Sequence, residues 1–237
     1  MNIVFLAAGK SSRIFKILKK PKCLLEINNK PLIEILIKNF SFDKKNKINI
    51  VLGFKPNLIK EKLVRYKKIN YIFNKDYNKK EMLHSMILAL KKIDDDIVLS
   101  YSDIIYDQSI CKKICKSKKE IHLPILSNWK KVWKKRKKNI YQDAEELKID
   151  KKNNLIKIGD KIKNLKKVHY QYMGLLFIPN SKRKEIISLY NQIKNKEKMH
   201  LTNFLNFIIK NDVKIKCIKY KKNWYEFDDI EDYNNYQ

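Results

Sequence analysis

Glycine is scarce in this chain, at 4 of 237 residues, and proline is nearly as rare at 5. No Gly-, Pro- or Ser-rich linker divides the sequence and no segment repeats. Residues 1–237 therefore read as one domain, long enough to bury a substantial core. No apolar run approaches the roughly 18 residues that a bilayer crossing needs. Met1 leads straight into Asn-Ile-Val-Phe-Leu, with no basic segment ahead of an apolar one. Neither a membrane span nor a signal peptide is expected, and the cytoplasm is the expected compartment. Four cysteines and four histidines are too few and too scattered for a zinc set. Cys111 and Cys115 share a face if that segment is helical, but no second pair or histidine cluster completes the ligands. Acidic residues are also short, 25 against 54 basic ones, for a formal charge of +29.

What remains is 44% hydrophobic, so the chain is globular rather than disordered. Its excess positive charge invites a nucleic-acid reading. The lysines, however, are spread over most segments, and Lys, Asn, Ile, Tyr and Phe are all abundant, as A/T-rich codons produce. The charge is then mainly compositional, with a general attraction for anionic ligands. The basic, tryptophan-bearing stretch Trp-Lys-Lys-Val-Trp-Lys-Lys-Arg-Lys-Lys from Trp129 onward is the one place where a nucleic-acid module could reside.

Periodicity predicts strands at Asn2–Leu6, Ile48–Leu52, Asn70–Phe73 and Asp96–Tyr101, separated by helices beginning at Pro31, Pro56 and Glu81. Lys22–Ile27 reads as a further extended piece. Strands alternating with helices argue for an α/β fold with a mostly parallel central sheet and helices on both faces. Ligands in such sheets bind beyond the carboxyl ends of the strands, where the turn after Leu6 and Asp103 both fall. The second half is more elaborate. A strand at Ile121–Leu126 precedes the tryptophan stretch, and Leu147–Asp150 and Leu155–Ile158 form a hairpin. A strand at Tyr172–Ile178, two helices, extended pieces at Val213–Tyr220 and Trp224–Phe227, and a terminal helix at Ile230–Tyr236 complete it.

Gly9-Lys10-Ser11 imitates the end of a P-loop, but that pattern needs a glycine five positions earlier, where Val4 stands. A different signature does fit. Leu-Ala-Ala-Gly-Lys-Ser-Ser-Arg at residues 6–13, followed by Pro-Lys-Cys-Leu-Leu-Glu-Ile-Asn-Asn-Lys-Pro-Leu-Ile from Pro21, resembles the opening of the nucleotidyltransferase superfamily. Ser11 stands where that signature most often has its second glycine. The resemblance implies a Rossmann-like, GT-A-type three-layer sandwich. It also implies an enzyme that joins a nucleoside triphosphate to a phosphorylated acceptor and releases pyrophosphate. Residues up to about 120 would form the nucleotide half and residues from about 121 the acceptor half.

The same resemblance implies roles for particular residues. Leu6, Ala7, Ala8 and Gly9 would lie along base and ribose. Ser11, Ser12 and Arg13 would hold the β- and γ-phosphates, the guanidinium fork suiting the leaving pyrophosphate. Lys22 would bridge the α-phosphate and the acceptor, making Lys22 and Arg13 the catalytic pair. Asp103, at the end of Asp-Ile-Val-Leu-Ser-Tyr-Ser-Asp, and Asp228, in Trp-Tyr-Glu-Phe-Asp-Asp-Ile-Glu-Asp-Tyr, would hold Mg²⁺, with Glu226 assisting. Asp229 is expected to cap the last helix.

Asn74 to Tyr77 and Met82 to Met86 resemble a segment of the choline-phosphate and 2-aminoethylphosphonate cytidylyltransferases, which implies CTP as donor and Ser85 at the nucleotide. Trp129, Trp133, Arg136, Asp143 and Glu145 are similar to an acceptor-binding insert of that group, with Gly174 in the strand that follows. Tryptophan faces and carboxylates can hold an amine, and Arg136 suits a phosphate or phosphonate. At i, i+4 the two tryptophans share a helix face, so packing is the competing reading for them. The function expected is a Mg²⁺-dependent cytidylyltransferase, monomeric or homodimeric. Its acceptor would be of the phosphocholine or 2-aminoethylphosphonate type, and its product would feed a surface glycan or lipid modification. A sugar-1-phosphate nucleotidyltransferase is the alternative. Partners other than these small molecules, nucleic acid and membrane included, are not expected.

Overall fold

A computed structural model describes residues 1–136 and 144–236. Strand Asn2–Ala7 is buried along its whole length, as a central strand covered on both faces must be. It lies parallel to both Lys47–Leu52 and Ile97–Tyr101, and Ile69–Phe73 extends the sheet parallel to Lys47–Leu52. Beyond Ile97–Tyr101 the direction changes, and Leu175–Ile178 pairs antiparallel to it and to Ile121–Leu126. The latter also takes Gln171–Tyr172 antiparallel and Ile215–Tyr220 parallel. The result is an eight-stranded, mixed but mostly parallel sheet.

The two-residue period of a strand splits the core into two layers. Ile3, Phe5 and Ala7 pack with Leu32, Ile33, Leu36 and Phe40 on one face. Val4, Leu6 and Ala8 pack with Leu83, Met86, Ile87 and Leu90 on the other. Helices Leu32–Asn39 and Met82–Lys92 thus cover opposite faces, giving the three layers expected from the alternation of elements.

One local expectation needs correction, and two short elements carried no expectation. Lys22–Ile27 is not one extended piece: Lys22–Leu24 forms a 3₁₀ turn, and only Glu26–Ile27 is strand, pairing with Lys30–Pro31 around a two-residue Asn28-Asn29 turn at positive φ. Pro21 presets the entry to that turn, and asparagine tolerates the left-handed region its exit requires. Ser12–Leu18 is a short helix, too brief at seven residues to show a clear period. Ile104–Tyr106 is a strand that pairs antiparallel with Trp224–Glu226. Three residues are too few to show a period, so only the partner strand defines it.

Candidate active site

Ser11 organises the loop after the first strand. It adopts the left-handed conformation, φ 53°, which costs a non-glycine residue on the order of 1 kcal/mol and accounts for a glycine being commonest there. Its carbonyl accepts from the amides of Ile14 and Phe15, starting helix Ser12–Leu18. Its hydroxyl accepts from the backbone amide of Lys22 at 3.1 Å. The serine's side chain is therefore engaged in fixing where Lys22 begins.

From that anchor the Lys22 ammonium reaches 3.1 Å to Asp103 and 2.8 Å to Asp228. Asp228 also pairs with the guanidinium of Arg13, which is itself exposed. The two aspartates come together because Ile104–Tyr106 and Trp224–Glu226 form an antiparallel ribbon, closed by the Phe227 amide donating to the Asp103 carbonyl at 2.8 Å. Asp103 enters the ribbon and Asp228 leaves it at the same end. Burial lowers the Lys22 pKa, but the fields of Asp103 and Asp228 outweigh it and hold the ammonium above its ordinary value. Burial likewise raises Asp228, and Lys22 and then Arg13 reverse that, leaving its carboxyl below the usual range.

Two carboxylates converging on one ammonium define a point between them that suits a cation. Their all-oxygen donor set, partly buried, fits a hard divalent ion such as Mg²⁺, which is commonly held by one or two carboxylates with substrate phosphates and water completing the shell. Among the described residues no group of three or more His, Cys, Asp or Glu is arranged to hold a metal by protein ligands alone. Glu226, expected to assist the aspartates, instead ion-pairs with Arg136 at 3.3 Å and faces a different cavity. The strand ends at Glu226 and the chain turns before Asp228, so the alternation that would put both on one face is broken.

Two cavities are reached from this centre along the chain: residues of the first loop line one, and Tyr101 and Glu226, each two residues from one of the aspartates, line the other. One, of about 440 Å³, is lined by Leu6, Ala8, Gly9, Lys10 and Ser12 from the first loop and by Asn74, Tyr77, Lys79, Lys80 and Ser85. Leu6, Ala8, Gly9, Ser12 and Ser85 had been expected at a nucleotide. Ala7 had been too, but it packs into the core layer with Ile3 and Phe5. Asn74 is buried and donates to the Ser85 hydroxyl at 2.9 Å while its carbonyl oxygen accepts from the Asp76 amide. Gly53 lets Ala8 and Tyr77, two of the residues that line the cavity, approach its backbone, since a Cβ there would lie 2.6 Å from both the Ala8 carbonyl oxygen and the Tyr77 side chain.

The second cavity, about 250 Å³, is lined by Tyr101, Trp133, Glu145, Gln171, Tyr172, Gly174, Thr202, Trp224 and Glu226 among others, and shares Glu81 and Met82 with the first. Trp133, Glu145 and Gly174 were expected at an acceptor. Gly174 has φ +73° and its backbone passes so close to Tyr101 that a Cβ would meet that ring at 2.9 Å. Glu145 is held in place by the Thr202 hydroxyl at 3.1 Å and by Gln171, which bonds both its amide and its carbonyl.

Trp129 and Arg136 do not line this cavity. Trp129 is 1% exposed, with its indole donating to the Val168 carbonyl, and forms an edge-to-face pair with Trp133. Arg136 is completely buried and salt-bridged to Asp232 and Glu226. Asp143 lies outside the described residues. Asp229 accepts from the Asp232 amide at 3.0 Å, the capping contact expected of it. Sequence reasoning missed Gln171 and Thr202, which carry no local signal, and the burial of Asp232, which its place in an acidic run hides.

The family profile described as the MobA-like NTP transferase domain matches residues 3–133. Over 247 aligned positions the chain is 32% identical to CTP:phosphoglutamine cytidylyltransferase of Campylobacter jejuni, covering 98% of this chain and 97% of that protein. Among solved structures, the inositol-1-phosphate CTP transferase of T. maritima superposes with a TM-score of 0.78 at 16% identity, covering 99% of this chain and 94% of the other. CTP:phosphocholine cytidylyltransferase of Streptococcus pneumoniae gives 0.74 at 18%, covering 98% and 96%. At those identities the structural likeness speaks to the fold. The chain belongs to the MobA-like NTP transferase family and is a nucleotidyltransferase.

Proposed function

We propose that this nucleotidyltransferase joins CTP to a small phosphorylated acceptor that carries an ammonium group, releasing pyrophosphate. The observation that carries the reading is the meeting of Lys22 with Asp103 and Asp228, together with two cavities that adjoin each other at Glu81 and Met82. The first cavity, built from residues 6–85, takes the nucleotide. The second, built mainly from residues 101–226, takes the acceptor. Residues 1–237 thereby act as one domain with a nucleotide half and an acceptor half. CTP as donor is supported by the 32% identical relative, whose name specifies it.

An oxygen of the acceptor's phosphate attacks the α-phosphorus, and the bond from that phosphorus to the oxygen bridging to the β-phosphate breaks. Pyrophosphate leaves with the electron pair. Lys22 offsets the charge that gathers on the α-phosphate oxygens, and Arg13 turns from Asp228 toward the departing pyrophosphate. Asp103 and Asp228 would hold Mg²⁺, which when bound screens the triphosphate and orients it for in-line attack. Glu145 and Glu226, with the faces of Trp133, Trp224 and Tyr101 around them, suit an ammonium group. Phosphoglutamine, phosphocholine and 2-aminoethylphosphonate all offer one, and the relative that spans the whole chain puts phosphoglutamine first among them.

Pyrophosphate release, followed over four nucleotides and these acceptors plus sugar 1-phosphates, tests the reading. CTP with an amine-bearing acceptor should turn over fastest, and Asp103→Ala with Asp228→Ala should abolish turnover. Retained activity in that double variant, or preference for a sugar 1-phosphate, would overturn it.

A further inference from the structure

Arg136 is a cation with no exposure, placed behind the acceptor cavity. Its Nε and Nη2 donate to the two oxygens of Asp232, at 3.2 and 3.3 Å, and its Nη1 lies 3.3 Å from Glu226 Oε2. The guanidinium lies 4.8 Å from the ring centre of Trp133, which stacks on Trp224 with an interplanar angle of 5°. Asp232, equally buried, uses its Oδ2 a second time, accepting from the backbone amide of Asp228 at 2.8 Å and of Asp229 at 3.3 Å. One fork therefore touches both the carboxylate on the acceptor wall and the residue that pins the Asp228 turn. A buried ion pair adds little net stability over apolar side chains of similar volume, so its geometry is what distinguishes it.

We propose that Arg136 and Asp232 are positioning residues that act as one unit, setting the acceptor wall, through Glu226, at a fixed distance from the transfer centre, through the backbone of Asp228. The proposal rests on the reading in which Asp228 serves nucleotidyl transfer. It assigns Arg136 a role other than contact with the acceptor's phosphate. Arg136→Lys keeps the charge but lacks the planar fork that serves both carboxylates. Asp232→Asn keeps the shape but removes one of the two oxygens that meet the guanidinium and the Asp228 amide.

The experiment compares Arg136→Lys, Asp232→Asn, Glu226→Gln and the double variants with the full chain in melting temperature, kcat and KM. It also includes the neutral pair Arg136→Met with Asp232→Leu, which can restore packing without the fork. The expected result is a kcat at least about tenfold lower in Arg136→Lys and Asp232→Asn. Glu226→Gln should mainly raise the acceptor KM. Combining Arg136→Lys with Glu226→Gln should cost no more than the worse single change, because the residues act together. The neutral pair should melt near the parent yet stay slow.

Wild-type kcat in a folded neutral pair, or losses that add independently and follow melting temperature alone, would overturn the proposal. Affinity for Mn²⁺ in the presence of CTP is measured in parallel and should weaken in Asp232→Asn. That readout needs no acceptor, so a parent chain inactive on every acceptor would count against the functional reading, while unchanged Mn²⁺ affinity in Asp232→Asn would count against this one.

Discussion

The Lys22 ammonium lies 2.8 Å from the Asp228 carboxylate across 206 positions of chain. The contact joins the loop that follows the first strand to the last turn before the terminal helix. It forms because Ser11 anchors the lysine's backbone and an antiparallel ribbon delivers the aspartate beside Asp103. The free protein thus keeps a cation of its own at the point where two carboxylates meet.

Removing that cation should make the site depend on an external one. In Lys22→Met, Asp103 and Asp228 face each other with only the exposed Arg13, on Asp228, as counter-charge, and stability without divalent ions should fall by about 1–3 kcal/mol, less than for a fully buried pair. Mg²⁺ should then raise the melting temperature of the variant more than that of the parent, while turnover falls by about 100-fold or more. A smaller ion-induced shift in the variant would show that Lys22 does not stand at the cation's place.

Gly9, on the cavity proposed to take the nucleotide, and Gly53, packed against Ala8 and Tyr77 that line it, should separate folding from binding. Nothing lies within 4 Å of a Cβ built on Gly9. Gly9→Ala should therefore melt with the parent, and any loss of CTP affinity, expected to be severalfold or more, reports close approach of the ligand. At Gly53 the added methyl meets the Ala8 carbonyl and Tyr77 at 2.6 Å, so Gly53→Ala should lose about 1–3 kcal/mol of stability from overpacking. Thermal melts with parallel CTP titrations distinguish the two.

Asn74 secures a wall of the same cavity. Truncation in Asn74→Ala strands the Ser85 hydroxyl and the Asp76 amide, both of which it now satisfies. The cost should be about 1–3 kcal/mol, with a raised KM for CTP. Ser85→Ala should cost less stability, because only one bond is lost. Chemical denaturation of the two variants orders them, and an equal cost would contradict the bonding described.

His84 should impose a pH dependence on stability. Burial, then Lys80, holds its imidazole below the usual value, while Asp76, 3.6 Å from Nε2, opposes them and Tyr190 bonds Nδ1. Because the unfolded chain takes up the proton first, this contribution is complete above about pH 6.5 and is lost as the pH falls toward the folded value. The drop in unfolding free energy between pH 7.5 and 5.5 should be smaller in His84→Gln than in the parent. An unchanged or larger drop would place the acid sensitivity elsewhere.

Much of the first half of the chain was legible because its signals are local. Strand Asn2–Ala7 and the helices after Pro31 and Glu81 follow hydrophobic period, and the loop from Leu6 to Arg13 with Pro21-Lys22 carries the family's motif contiguously. The second half was legible in composition but not in orientation. Trp129, Trp133 and Arg136 were read as one binding group, with packing as the competing reading for the tryptophans, yet within one helix of about two turns Trp133 reaches the cavity while Trp129 and Arg136 pack behind it. Gln171 and Thr202, which hold Glu145, come from distant segments with no pattern of their own.

By itself the sequence determined the α/β alternation, the family, and the identity of Lys22, Asp103 and Asp228 as residues to watch, since each rests on short-range pattern or contiguous motif. Only the tertiary structure decided what faced what. It set Asp228 against Lys22, turned Glu226 away from the aspartates toward Arg136, and buried Asp232 beneath the Asp228 turn. The reason is physical: strand and helix periods specify which face of an element is apolar. The pairing of charges across a ribbon or between a helix and a turn depends on desolvation and distance, which exist only once the chain has closed on itself.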